Sequence, residues 1–144
     1  MCLIVFAWKC HPDYELLVVA NRDEFHDRPS ENAHWWPDHP GILAGRDTLA
    51  GGTWLAVTRD GRFSTVTNYR EQSFTRGSYK SRGSLVTGFV FGGQSPAGYS
   101  STIDGDDYAG FNLLSADRHS MSYVSNRGDM LANIPPGIYG LSNA

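Results

Sequence analysis

The chain opens Met-Cys, and that order matters chemically. Loss of Met1 would leave Cys2 with a thiol and a free α-amino group on one Cα. A terminal amine titrates near ~7.7–8.0, so part of it is neutral at pH 7 and can take a proton. An N-terminal amine beside a nucleophile is one way to activate that nucleophile. Cys2 also reads as a small apolar residue opening a buried strand. Arg22 and Asp23 follow the next apolar run, in "ANRDEF". A guanidinium near a thiol lowers its pKa, and a carboxylate can anchor a terminal ammonium. The same two charges also read as a surface ion pair at a strand end. Asn68 in "VTNYR" and Asn143 in "LSNA" each come just after an apolar strand. A side-chain amide is a donor for the oxyanion of a tetrahedral intermediate, and Asn is also an ordinary turn residue.

Positioning these groups requires particular elements. Cys2 to Trp8 is β-prone, "CHPDYE" is a turn, and Leu16 to Ala20 resumes as a strand. An antiparallel hairpin returns the end of its second strand to the start of its first, which brings Asn21–Asp23 to Cys2. The polar, Pro-bearing stretch 21–41 reads as a long loop, and Ile42 to Ala44 as a short strand. "TWLAVTRDGRFSTVTNY" is a hairpin about Asp60-Gly61. Leu85, Val86, Phe89 and Val90 line one face of a short helix ending at Gly92. Ser95 and Pro96 open a second helix. "GFNLLSADRHSMSYVSN" is a further hairpin, and "GIYGLSNA" a strand running into a loop. Strands, helices and strands in that order give α+β.

With 144 residues the chain is one domain, 1–144. A net charge of −3 argues against nucleic acid as a partner. The one basic window, Arg70, Arg76, Lys80 and Arg82, is diluted by Ser, Thr and Gly and reads as a solvated loop. No apolar run approaches the ~20 residues of a membrane span, and the six from Leu3 to Trp8 lack the flanks of a signal peptide. Two cysteines, Cys2 and Cys10, fit a reducing, cytoplasmic setting with free thiols. The five histidines show no metal-ligand spacing, so no metal is expected and no cofactor is required. Trp35 and Trp36 suit the flank of an apolar ligand, and a Cys or His can serve as an axial haem ligand.

The blocks "ANRDEF", "RP" (Arg28, Pro29), "ILAGRD", "GGTWLAVTRDGRF", "TNYRE", "SRG", "GFNLL", "SN" (Ser125, Asn126) and "GIYGLSNA", in this order along nearly the whole chain, resemble the NRDE family of transport and Golgi organisation proteins. The resemblance implies an αββα four-layer sandwich of the N-terminal nucleophile hydrolase type, here incomplete at its C-terminus. It implies Cys2, Arg22, Asp23, Asn68 and Asn143 as catalytic positions. Asn21, Trp35, Trp36, Trp54 and Tyr69 are the candidates for substrate binding. It also implies a role in Golgi organisation, secretion, or haem and lipid trafficking, with Golgi or mitochondrial association in a eukaryote. The alternative is a cysteine amidohydrolase or acyltransferase acting on linear amide or acyl substrates through Cys2. In that case the partner is a small molecule.

Overall fold

A computed structural model describes residues 1–69 and 79–143. Arg70 and Arg76 of the basic window, and the Arg-Glu of "TNYRE", lie outside the described residues. The first hairpin forms as its sequence predicts. β1 (Leu3–Trp8) and β2 (Leu16–Asn21) pair antiparallel with Leu3 opposite Asn21. β1 alternates: Ile4, Phe6 and Trp8 are buried, whereas Leu3 and Val5 face outward.

The stretch expected as one long loop contains a strand. β3 (Ser30–Trp36) runs to a tight turn and returns as β4 (His39–Asp47), which is much longer than Ile42–Ala44. β3 is an edge strand with two register shifts and mostly exposed side chains. Such a strand needs no apolar alternation, which is why its polar residues gave no period-2 signal.

β5 (Leu55–Thr58) and β6 (Phe63–Asn68) form the hairpin about Asp60-Gly61, with Gly61 at φ +87°. Two helices follow. α1 (Gly83–Phe91) buries Leu85, Val86, Phe89 and Val90. α2 (Pro96–Ser101) has Ser95 as its cap, with Oγ accepting from Gly98 N–H. After a 3-10 turn at Gly105–Asp107 come β7 (Phe111–Ala116), β8 (Met121–Ser125), β9 (Met130–Leu131) and β10 (Gly137–Ser142).

The strands make two sheets, β10-β1-β2 and β3-β4-β5-β6-β7-β8-β9, with every pairing antiparallel. Two cores follow from this. Ile4, Phe6 and Trp8 of the small sheet meet Phe63, Leu114, Ala116 and Met121 of the large one. On the large sheet's other face, α1 packs on Ile42, Ala44, Ala56, Phe111 and Leu113. β7 is therefore buried on both faces, and all six of its residues are buried. The result is a mostly antiparallel α+β arrangement: helices, large sheet, small sheet. The outer face of the small sheet carries Leu3, Val5, Leu17, Val19 and Ile138 exposed.

Candidate functional site

Register alone builds the centre of the site. β1 pairs with β2 and with β10, so Leu3 stands opposite both Asn21 and Ser142. One residue further out, Cys2 falls between Arg22 and Asn143, and Met1 falls opposite Asp23. The hydrogen bonds agree. Asn143 N–H donates to the Cys2 carbonyl at 3.3 Å. Asp23 N–H donates to Cys2 Sγ at 3.3 Å, and the thiol lies 3.7 Å from the Asp23 carbonyl. The Met1 α-ammonium is ion-paired with the Asp23 carboxylate. The amine thus sits within a residue of the thiol, held by the carboxylate the sequence placed there.

Cys2, Arg22, Asp23, Trp54 and Asn68 line one cleft of about 390 Å³. Asn143 does not line it. Its Oδ1 is buried without a hydrogen-bond partner. Asn21 donates from Nδ2 to the Met1 carbonyl at 2.8 Å and so fixes the N-terminal residue. Tyr69 follows Asn68 but does not line the cleft. Trp35 and Trp36 are elsewhere. Trp36 is 1% exposed in the helix-facing core, with Nε1 donating to the Ala44 carbonyl at 3.2 Å. Trp35 lies under the Arg59 guanidinium, 3.7 Å from its ring centroid. The edge strand β3 carries both tryptophans away from Cys2.

Other residues of the cleft escaped the sequence reading. Arg28 donates to Asp47 Oδ2 at 2.6 and 3.0 Å, and Asp47 Oδ1 accepts from the Leu49 and Ala50 N–H groups. This pair ties the "RP" block to "GRD" across the mouth. The glycines of "GGTW" and "SRG" meet at the base, where a Cβ on Gly52 would lie 2.9 Å from the Gly83 carbonyl carbon. Lys80 and Arg82 line the same cleft. Lys80 pairs with Asp107 and Arg82 donates to the Gly110 carbonyl, so these two cations of the basic window are tied to the fold. The quoted motif blocks are the available sequence signal for these residues except Lys80, which belongs to the basic window alone.

Arg22 is held twice. Its guanidinium lies over the Trp54 ring, 4.0 Å from the centroid, and faces Glu24 at 3.5 Å. The Cys2 thiol is pushed up by burial. The Met1 ammonium opposes that, Glu24 adds to it, and Arg22 opposes it. With Met1 in place the thiol is therefore protonated at neutral pH. Among the described residues no group of three or more His, Cys, Asp or Glu is placed to hold a metal ion. No helix among them is long and apolar enough to cross a membrane.

A thiol at the end of a central strand, with an amine beside it and a guanidinium and Asn68 in the same cleft, marks a two-sheet α+β protein with its functional candidates gathered around the N-terminal residues. The family model of Transport and Golgi organisation 2 matches residues 1–144. The chain is similar to the Transport and Golgi organization 2 homolog of Mus musculus, at 37% identity over all of this chain and 57% of that protein. It is 36% identical to the Homo sapiens homolog over the same shares. It is 29% identical to the Drosophila melanogaster Transport and Golgi organization protein 2, over 99% of this chain and 55% of that protein. The chain belongs to the Transport and Golgi organisation 2 family. It spans a little over half the length of these relatives.

Proposed function

We propose that this chain carries a cysteine site of the N-terminal nucleophile type, acting on a linear amide or acyl substrate. One observation carries the reading: the α-ammonium, the Asp23 carboxylate and Cys2 Sγ share one end of one sheet, at a cleft. Once Met1 is removed, the amine belongs to Cys2. The thiol's proton passes to that amine as sulfur attacks the substrate carbonyl. The Asn68 amide, which lines the same cleft as Cys2, serves the developing oxyanion, and collapse expels the amine or alcohol with the proton returned from the α-ammonium. Arg22 holds the thiolate's charge and Asp23 anchors the ammonium. Water then attacks the acyl thioester and regenerates the thiol.

In the cell this site serves Golgi organisation and secretion, as the relatives' names suggest, or haem and lipid trafficking, from the cytoplasmic side. The fold we propose is the four-layer αββα sandwich. The apolar outer face of the small sheet supports a further layer there, since contiguous exposed apolar surface marks a contact.

A second reading is a carrier of an apolar ligand such as haem. The thiol's protonation with Met1 in place favours it, because a neutral thiol is a weaker nucleophile than a thiolate. Acyl-probe labelling separates the two. The enzyme reading predicts an adduct on Cys2 that Cys2→Ala abolishes. The carrier reading predicts none, and a saturable Soret shift at micromolar haem.

A further inference from the structure

A second cavity also reaches Cys2. It occupies about 380 Å³ between the two sheets, with Ile4, Ala20, Leu43, Leu55 and Val57 on its walls. The first cleft, in contrast, carries Arg28, Asp47, Lys80 and Arg82. Cys2, Arg22, Trp54, Val66 and Thr67 line both. Sulfur therefore stands where a polar space and an apolar space meet.

Val66 and Thr67 belong to β6, Cys2 abuts β1, and all three are fixed by the sheets. The remaining part of the boundary is the stack of Arg22 on Trp54. The indole's far edge lies against Gly45, where a Cβ would come within 2.8 Å of Trp54 Cη2. A side chain at 45 would push the ring from its place, which accounts for glycine in "ILAGRD". Trp54 is thus held between a glycine backbone and a guanidinium, along the line dividing the two spaces.

Building on the acyl-transfer reading, we propose that Trp54 is a specificity-determining divider. On this account the inter-sheet cavity receives the apolar part of the group joined to Cys2 Sγ, and the indole sets how large that part can be. The polar part stays in the outer cleft. Each methylene that enters the apolar space favours binding by roughly four-fold, so the divider's position selects by size.

The test uses N-methylmaleimide and N-hexylmaleimide on the Cys10→Ser chain, in which Cys2 is the only thiol. The Cys2 thiolate adds across the maleimide double bond and a solvent proton completes the product, so no catalytic step is needed. Rates are read by intact mass at one alkaline pH. Trp54→Ala is expected to raise the hexyl-to-methyl rate ratio about ten-fold, and Trp54→Phe to raise it less. An unchanged ratio in a Trp54→Ala chain with native circular dichroism would overturn the proposal. If Trp54→Ala does not fold, Trp54→Leu is read by the same criterion. Because maleimide addition needs only the thiol and the two cavities, a shifted ratio without any acyl-enzyme would discard the catalytic reading and keep the divider. An acyl-enzyme with an unshifted ratio would do the reverse.

Discussion

The backbone N–H of Asp23 donates to the sulfur of Cys2 across 3.3 Å. Twenty-one residues separate them in sequence, and the β1–β2 register alone brings them together. The contact makes Asp23 a two-sided group, its amide on the thiol and its carboxylate on the α-ammonium.

Burial raises the Cys2 pKa while Met1 is present. Iodoacetamide labelling of Cys2 in a Met1-bearing Cys10→Ser chain is expected to have its pH midpoint above the ~8.5 of an unperturbed thiol. Arg22→Gln removes a positive neighbour and raises the midpoint further. Glu24→Gln removes a negative one and lowers it. A midpoint that ignores both changes would show that these charges do not reach the sulfur.

Asp47 carries an acid-side stability term. Burial raises its pKa, but the Arg28 hydrogen bond and the N–H groups of Ala50 and Leu49 outweigh that and leave it depressed. A depressed carboxyl contributes stability above its unfolded pKa of ~3.9 and loses it as pH falls through the folded value. Asp47→Asn is expected to cost about 1–3 kcal/mol at neutral pH and to flatten the loss of stability below about pH 4. Urea midpoints for both chains at pH 7 and in acid would measure this. An equal acid loss in the two chains would contradict it.

The family blocks do not all serve chemistry. Asn126 accepts from Phe111 N–H at 2.9 Å and donates to the carbonyls of Gly105 and Tyr108 at 2.9 and 3.0 Å. It pins the turn before β7 to the end of β8. Asn126→Ala is expected to lower stability by about 1–3 kcal/mol without changing the Cys2 labelling midpoint. Thermal melting and the iodoacetamide profile, run together, would show a shift in the first alone.

The outer face of the small sheet predicts a solubility effect. Val19 is 77% exposed and Ile138 74%, in rows that also hold Val5 and Ala7. In residues 1–144 expressed alone, Val19→Lys with Ile138→Lys is expected to raise solubility and leave the melting temperature within a few degrees, since neither side chain is buried there. A large fall in melting temperature would show that this face is already packed.

Local pattern revealed much of this fold, and long-range pairing revealed the rest. The apolar run from Cys2, the "PD" turn and the second run gave the first hairpin, and with it the approach of Arg22 and Asp23 to Cys2. The Asp-Gly turn and the Ser95-Pro96 start were equally local. β3 was hidden because an edge strand with exposed faces needs no alternation. That error carried Trp35 and Trp36 toward the site on composition alone, whereas Trp36 points into the core. Arg28 stands just before β3 and Asp47 ends β4, so their pairing depends on a hairpin that local pattern does not reveal. Asn143 reaches Cys2 only because β10 pairs with β1, some 140 residues away, and no periodicity encodes which strands become neighbours.

The central claim is that Cys2 is the reactive centre. The most direct test is the intact mass of the Cys10→Ser chain, first for loss of Met1, then after incubation with an activated acyl ester. The account predicts a Met1-free chain that gains one acyl group, lost in Cys2→Ala and released by hydroxylamine as a thioester would be. A chain that loses Met1 and gains no acyl group, or one whose adduct survives Cys2→Ala, would contradict it.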